Sequence, residues 1–114
     1  MKIKASAMHE IVSNLRTIDP FRIVLFGSYA LEMEESESDI DLLVILDSED
    51  IPQTYEQRMQ GRLRVRKILQ AINKRVPIDL IVYTRGEYEF LQKHGSSFLR
   101  EIENSGKTLY EKED

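Results

Sequence analysis

The stretch FGSYALEMEESESDIDLLVIL, residues 26–46, decides how this chain is read. Its last seven residues, Ile40 to Leu46, are apolar apart from Asp41. That is the pattern of a central strand covered on both faces. Asp39 and Asp41 stand one residue apart at the entrance of the strand. Positions i and i+2 of a strand face the same way, so the two carboxylates project side by side. Charged carboxylates almost never enter a core without a partner, so something must face this pair. Gly27 and Ser28 precede them by about a dozen positions.

Upstream, FRIVLF at 21–26 is short, β-branched and aromatic, bounded by Pro20 and Gly27, and reads as a strand. Met8, Ile11, Val12 and Leu15 predict an amphipathic helix over about residues 5–17. Downstream, Thr54 with Gln57 is a capping-box signature opening a long helix, 54–76. Val65, Ile68, Leu69, Ile72 and Val76 form its apolar stripe, and Pro77 stops it. IDLIVY at 78–83 is a third strand. Thr84 with Glu87 opens another helix, expected to turn Tyr88, Phe90 and Leu91 inward and to break at His94-Gly95. Ser96 or Ser97 caps a short helix holding Phe98, Leu99 and Ile102, Gly106 ends it, and 107–111 is an expected edge strand.

This order predicts one α/β (α+β) domain over 1–114, a small mixed β-sheet with helices packed on it. The long helix is the kind of crossover that returns a chain to a parallel strand. The second and third strands are therefore expected to run together, with Asp39, Asp41 and Asp79 at one end of the sheet. Were the first strand antiparallel to the second, Gly27 and Ser28 would arrive at that end too. Sequence leaves its direction open.

Bulk properties narrow the chemistry. The chain has 114 residues, no cysteine and a net charge of −4. Thiolate metal sites and cysteine nucleophiles are thereby excluded. No apolar run approaches a bilayer span, so a soluble cytoplasmic protein without membrane contact is expected. An acidic chain lacks the footprint of a duplex binder, and nucleic acid is not expected as a stable partner. Arg58, Arg62, Arg64, Arg66 and Lys67 crowd the long helix and read chiefly as a solvated charged face. The mixed patch around Arg58 and Arg62 is the expected protein interface.

Three carboxylates at one strand end repel one another, and hard oxygen donors of this kind suit Mg²⁺. Gly27 lets backbone approach a ligand, and Ser28, opening a short helix, suits a phosphate. Carboxylates for metal beside donors for phosphate describe a nucleoside triphosphate site. Lys74 and Arg75, at the end of the long helix, are the nearest cations on a geometric reading.

Gly27-Ser28 followed by Ser38-Asp39-Ile40-Asp41-Leu42 resembles the signature of the DNA polymerase β-like nucleotidyltransferases, most closely their minimal MNT type. GKTLYE at 106–111 resembles the closing strand of such domains. The resemblance implies Asp39, Asp41 and Asp79 as catalytic metal ligands for two Mg²⁺ ions, with Asp79 also helping to deprotonate the acceptor. It implies Gly27 and Ser28 as holders of the triphosphate. The implied reaction moves a nucleoside monophosphate, AMP from ATP, to a hydroxyl on a macromolecular acceptor. The implied partner is a helical HEPN-type toxin, with a homodimer as the alternative. After GSxA the family commonly has Arg-Gly, whereas this chain has Leu31-Glu32. That departure sustains a second reading, an antitoxin-like subunit that neutralises a helical partner by binding alone.

Overall fold

The computed structural model describes residues 2–27 and 39–113, with side chains from Ser6 onward. Helix α1 (Lys2–Leu15) runs into a 3₁₀ turn, Arg16–Ile18, which Asp19 closes in a left-handed conformation at φ 51°. Strands β1 (Arg22–Phe26) and β2 (Ile40–Leu46) follow. Then come α2 (Tyr55–Arg75), β3 (Ile78–Thr84), α3 (Arg85–His94), α4 (Ser97–Ser105) and β4 (Lys107–Glu111).

The caps form where local chemistry demands them. Thr54 Oγ1 accepts from the Gln57 N–H at 3.1 Å. Gln57 Oε1 in turn accepts from the N–H of Gln53, one residue before the cap, at 2.7 Å. Ser96, not Ser97, caps α4 by accepting from the Leu99 N–H at 3.2 Å. Each such cap satisfies a donor that the first helical turn leaves orphaned.

The four strands lie in the order β3-β2-β1-β4. β2 and β3 are parallel, as the α2 crossover requires, and β1 is antiparallel to both β2 and β4. This answers the question left open by sequence. Alternation then sorts the strands onto two cores. Ile23, Leu25, Ile40, Leu42, Val44 and Leu80 pack under α1 and α2, against Ile11, Leu15, Val65, Leu69 and Ile72. Val24, Leu43 and Ile45 pack under α3 and α4, against Tyr88, Leu99 and Ile102. Each fully buried side chain of this size contributes roughly 1.5–3 kcal/mol.

One expected core position is corrected. Phe90 is half exposed and lies against His94, ring centroids 4.2 Å apart. Helix α3 is only ten residues long, and its inward stripe is filled by Glu87, Tyr88 and Leu91. Phe90 is two positions from Tyr88, about 200° around the helix, and so emerges on the outer side.

Candidate active site

The carboxylates are gathered by strand register. Asp41 of β2 lies directly beside Asp79 of β3, and Ile40 beside Ile78. Two hydrogen bonds pin these strand entrances. The Ile40 N–H donates to the Pro77 carbonyl at 3.0 Å, and the Ile78 N–H to Asn73 Oδ1 at 2.7 Å. Alternation puts Asp39, Asp41 and Asp79 on the face that also carries Leu43, Ile45, Ile81 and Tyr83. Asp39 and Asp79 are exposed, and Asp41 is half-buried.

On the other side of β2, Phe26 is the register partner of Asp41, and Gly27 lies one residue beyond. Gly27 has φ 73°. A Cβ built on it would stand 3.0 Å from Cγ and 3.3 Å from Cβ of Asp41, and closer still to Oδ2. Only glycine leaves the Asp41 carboxylate where it is. Burial pushes the Asp41 carboxyl above the ordinary carboxylate range, and the charges of Asp79 and Asp39 add to the shift. A hydrogen bond to Asp79 stabilises the protonated form further.

Among the described residues no group of three or more acidic, histidine or cysteine side chains is arranged to hold a metal ion. The donor set nevertheless suits a hard divalent cation. Two carboxyls lie within hydrogen-bond reach and a third adds its charge, a repulsion that a cation between them would relieve. Mg²⁺ characteristically takes one or two carboxylates and completes its shell with water and substrate phosphates.

The remaining expected residues divide. Ser28, Leu31 and Glu32 lie outside the described residues. Lys74 and Arg75 occupy the last turn of α2, at the end of the sheet where β3 begins. Lys74 is exposed. The Arg75 guanidinium is held by Glu10 of α1, with Nη2 at 2.7 Å from each carboxylate oxygen. Arg58, still about half exposed, pairs with Glu87 on α3 and so braces the two helices.

Sequence reasoning passed over a polar network between the sheet and α3/α4. Arg22 Nη1 donates to Tyr88 Oη at 2.8 Å and to Glu103 Oε1 at 2.7 Å, while Tyr88 Oη donates to Glu103. Its members are separated by up to 81 positions, and no local pattern joins them.

Over residues 8–114 the sequence matches the family described as Polymerase beta, Nucleotidyltransferase, and the chain belongs to that family. Comparison with curated proteins gave no match. Among solved structures, the chain resembles one described as a toxin–antitoxin with AMP-PNP, at 24% identity and TM-score 0.56, covering 93% of this chain and 74% of that one. It also resembles a toxin–antitoxin MntA-HpeT mutant in which two aspartates two positions apart are glutamate, at 20% identity and TM-score 0.54, with the same coverages. These likenesses agree with the minimal type of nucleotidyltransferase fold that the GS and DxD motifs resemble.

Proposed function

We propose that this nucleotidyltransferase moves AMP from ATP to a hydroxyl on a protein partner, a helical HEPN-type toxin, with Mg²⁺ at the carboxylate cluster. The observation that carries the reading is the in-register meeting of Asp41 and Asp79, with Gly27 cut back to admit the Asp41 carboxylate. Support comes from the neighbours, one a toxin–antitoxin bound to AMP-PNP and the other altered at paired aspartates.

In this reading Asp39 and Asp41 hold the metal, and Asp79 binds beside them and takes the proton of the acceptor hydroxyl. The bound cations supply charge neutralisation for the phosphates and the leaving pyrophosphate. The Gly27 backbone comes close to the phosphate tail, and Ser28 donates to it. Lys74, exposed in the last turn of α2, serves in this reading as the cation that balances added phosphate charge, Arg75 beside it being paired with Glu10. Asp41 is the residue on which the site turns, since it meets both Gly27 and Asp79.

Calorimetric titration of ATP with Mg²⁺ and with EDTA, on the parent and on Asp39→Asn/Asp41→Asn, tests the site. Binding that needs both the metal and the aspartates is expected, followed by α-labelled AMP transfer to a co-expressed partner. A second reading is favoured by Leu31-Glu32, which replaces the guanidinium common in the family. There the chain neutralises its partner by binding alone. Partner inhibition that survives Asp41→Asn would select it.

A further inference from the structure

A groove of about 570 Å³ opens between α2 and β3, away from the carboxylates. Ile78 and Leu80 line it, and alternation places them on the face of the sheet opposite Asp79. Arg62, Arg66 and Lys67 form its charged wall, with Leu63 and Leu69 as its apolar contribution from the helix. None of the lining side chains is acidic. In a chain of net charge −4 this is a local reversal of sign. Leu63 is 56% exposed although it lies along the groove's apolar strip. Nε of Arg62 is buried and has no hydrogen-bond partner among the described residues.

The groove also borders a sheet edge. β3 is the terminal strand of the order β3-β2-β1-β4. The Ile78 N–H points away from β2, since it donates to Asn73 of α2. Backbone groups alternate along a strand, so those of Leu80 and Val82 point away from β2 as well. An edge of this kind is a template for an added strand.

We infer that the α2/β3 groove docks an extended acidic segment of a partner protein, added along β3 as a fifth strand. Its carboxylates meet Arg62, Arg66 and Lys67, and its apolar side chains lie on Leu63 and Leu80. A protein segment fits better than a nucleic acid strand. The groove's floor is aliphatic, no aromatic side chain lines it for base stacking, and the edge offers backbone pairing that only a polypeptide can complete. A segment seated there would run past the strand that carries Asp79. That last consequence rests on the nucleotidyltransferase reading, whereas the dock itself does not.

The test uses the whole chain without ATP or metal, so its failure is separate from any failure of the nucleotide site. A fluorescein-labelled, end-blocked peptide of repeating Glu-Thr-Val-Thr, which as a strand presents Glu and Val in turn to the groove, is titrated and followed by anisotropy. Arg66→Glu/Lys67→Glu, both exposed positions, should weaken it about tenfold or more, the loss expected from removing a charge-assisted contact. N-methylation of alternate peptide amides should weaken it by a similar factor while leaving its charge unchanged. Absence of binding at roughly millimolar peptide, where even weak strand addition registers, would overturn the inference. So would equal affinity for the N-methylated peptide, or tighter binding of a single-stranded RNA of equal charge. Sedimentation of the chain alone showing a dimer abolished by the double charge reversal would assign the groove to a second copy and overturn it too.

Discussion

Gly27 and Asp41 occupy each other's space: the hydrogen on Gly27 is the largest substituent that leaves the Asp41 carboxylate in place. Gly27 combines this contact with a left-handed φ of 73°. Gly27→Ala therefore meets two penalties at once. Backbone strain alone costs about 1–2 kcal/mol, and the displaced carboxylate adds to it. The expected result is a total loss of about 1–3 kcal/mol by urea denaturation, together with loss of metal-dependent ATP binding. An alanine variant that melts and binds like the parent would refute the contact.

Asp41→Asn should separate stability from function. Asp41 stands among like charges that push its carboxyl upward, so a neutral amide of the same shape relieves repulsion. In EDTA at neutral pH the variant's Tm is expected to equal or exceed that of the parent, while nucleotide transfer is lost. A clear fall in Tm would mean that Asp41 serves the fold rather than the site.

Alkaline pH should act through Tyr88. Burial pushes its hydroxyl up to about 12 from 10.0, with the hydrogen bond to Glu103 adding to the shift. A group that ionises later in the folded than in the unfolded chain keeps its proton while the unfolded form loses it. Stability therefore falls as pH rises through the window from 10.0 to about 12. Tyr88→Phe should flatten that slope, leaving the part due to Tyr83, which is also raised, by burial first. The variant should also lose about 1–3 kcal/mol at pH 7, because Arg22 and Glu103 each lose a partly buried partner. Urea melts at about pH 7, 10 and 11.5 measure both effects.

Arg58 and Glu87 form an unequal pair. Glu87 is 7% exposed, its Oε1 has no partner among the described residues, and its Oε2 is held by Arg58. Removing the cation strands a buried carboxylate, so Arg58→Ala should cost about 1–3 kcal/mol, reduced from a fully buried pair because Arg58 itself is half exposed. Adding Glu87→Gln should recover part of it. A double-mutant cycle with no coupling would show that the pair contributes nothing to joining α2 and α3.

Much of the secondary structure was legible because its determinants are local. Ile40 to Leu46 and IDLIVY reveal strands by composition, Thr54, Thr84 and the Ser96-Ser97 pair reveal helix starts by side-chain capping, and Pro77 and Gly106 reveal stops. The length of the α2 crossover implied the parallel β2–β3 pair, and with it a common end for Asp39, Asp41 and Asp79. Several other features depend on groups that meet only across the fold. The direction of β1 was undetermined because the connection after Gly27 is long enough for either sense, and pairing with both β2 and β4 decides it. Glu87 looked like half of a capping box, yet its carboxylate turns to Arg58 on the preceding helix, as its N–H alone serves Thr84. The pairing of Arg75 with Glu10 of α1 joins residues 65 positions apart and had no local signal. The basic face of α2 is largely exposed, as read, but a helical wheel cannot show that part of it lines a groove beside the β3 edge. Periodicity and capping are written within a few residues; register, ion-pair choice and grooves are set by long-range packing, and only the folded chain contains them.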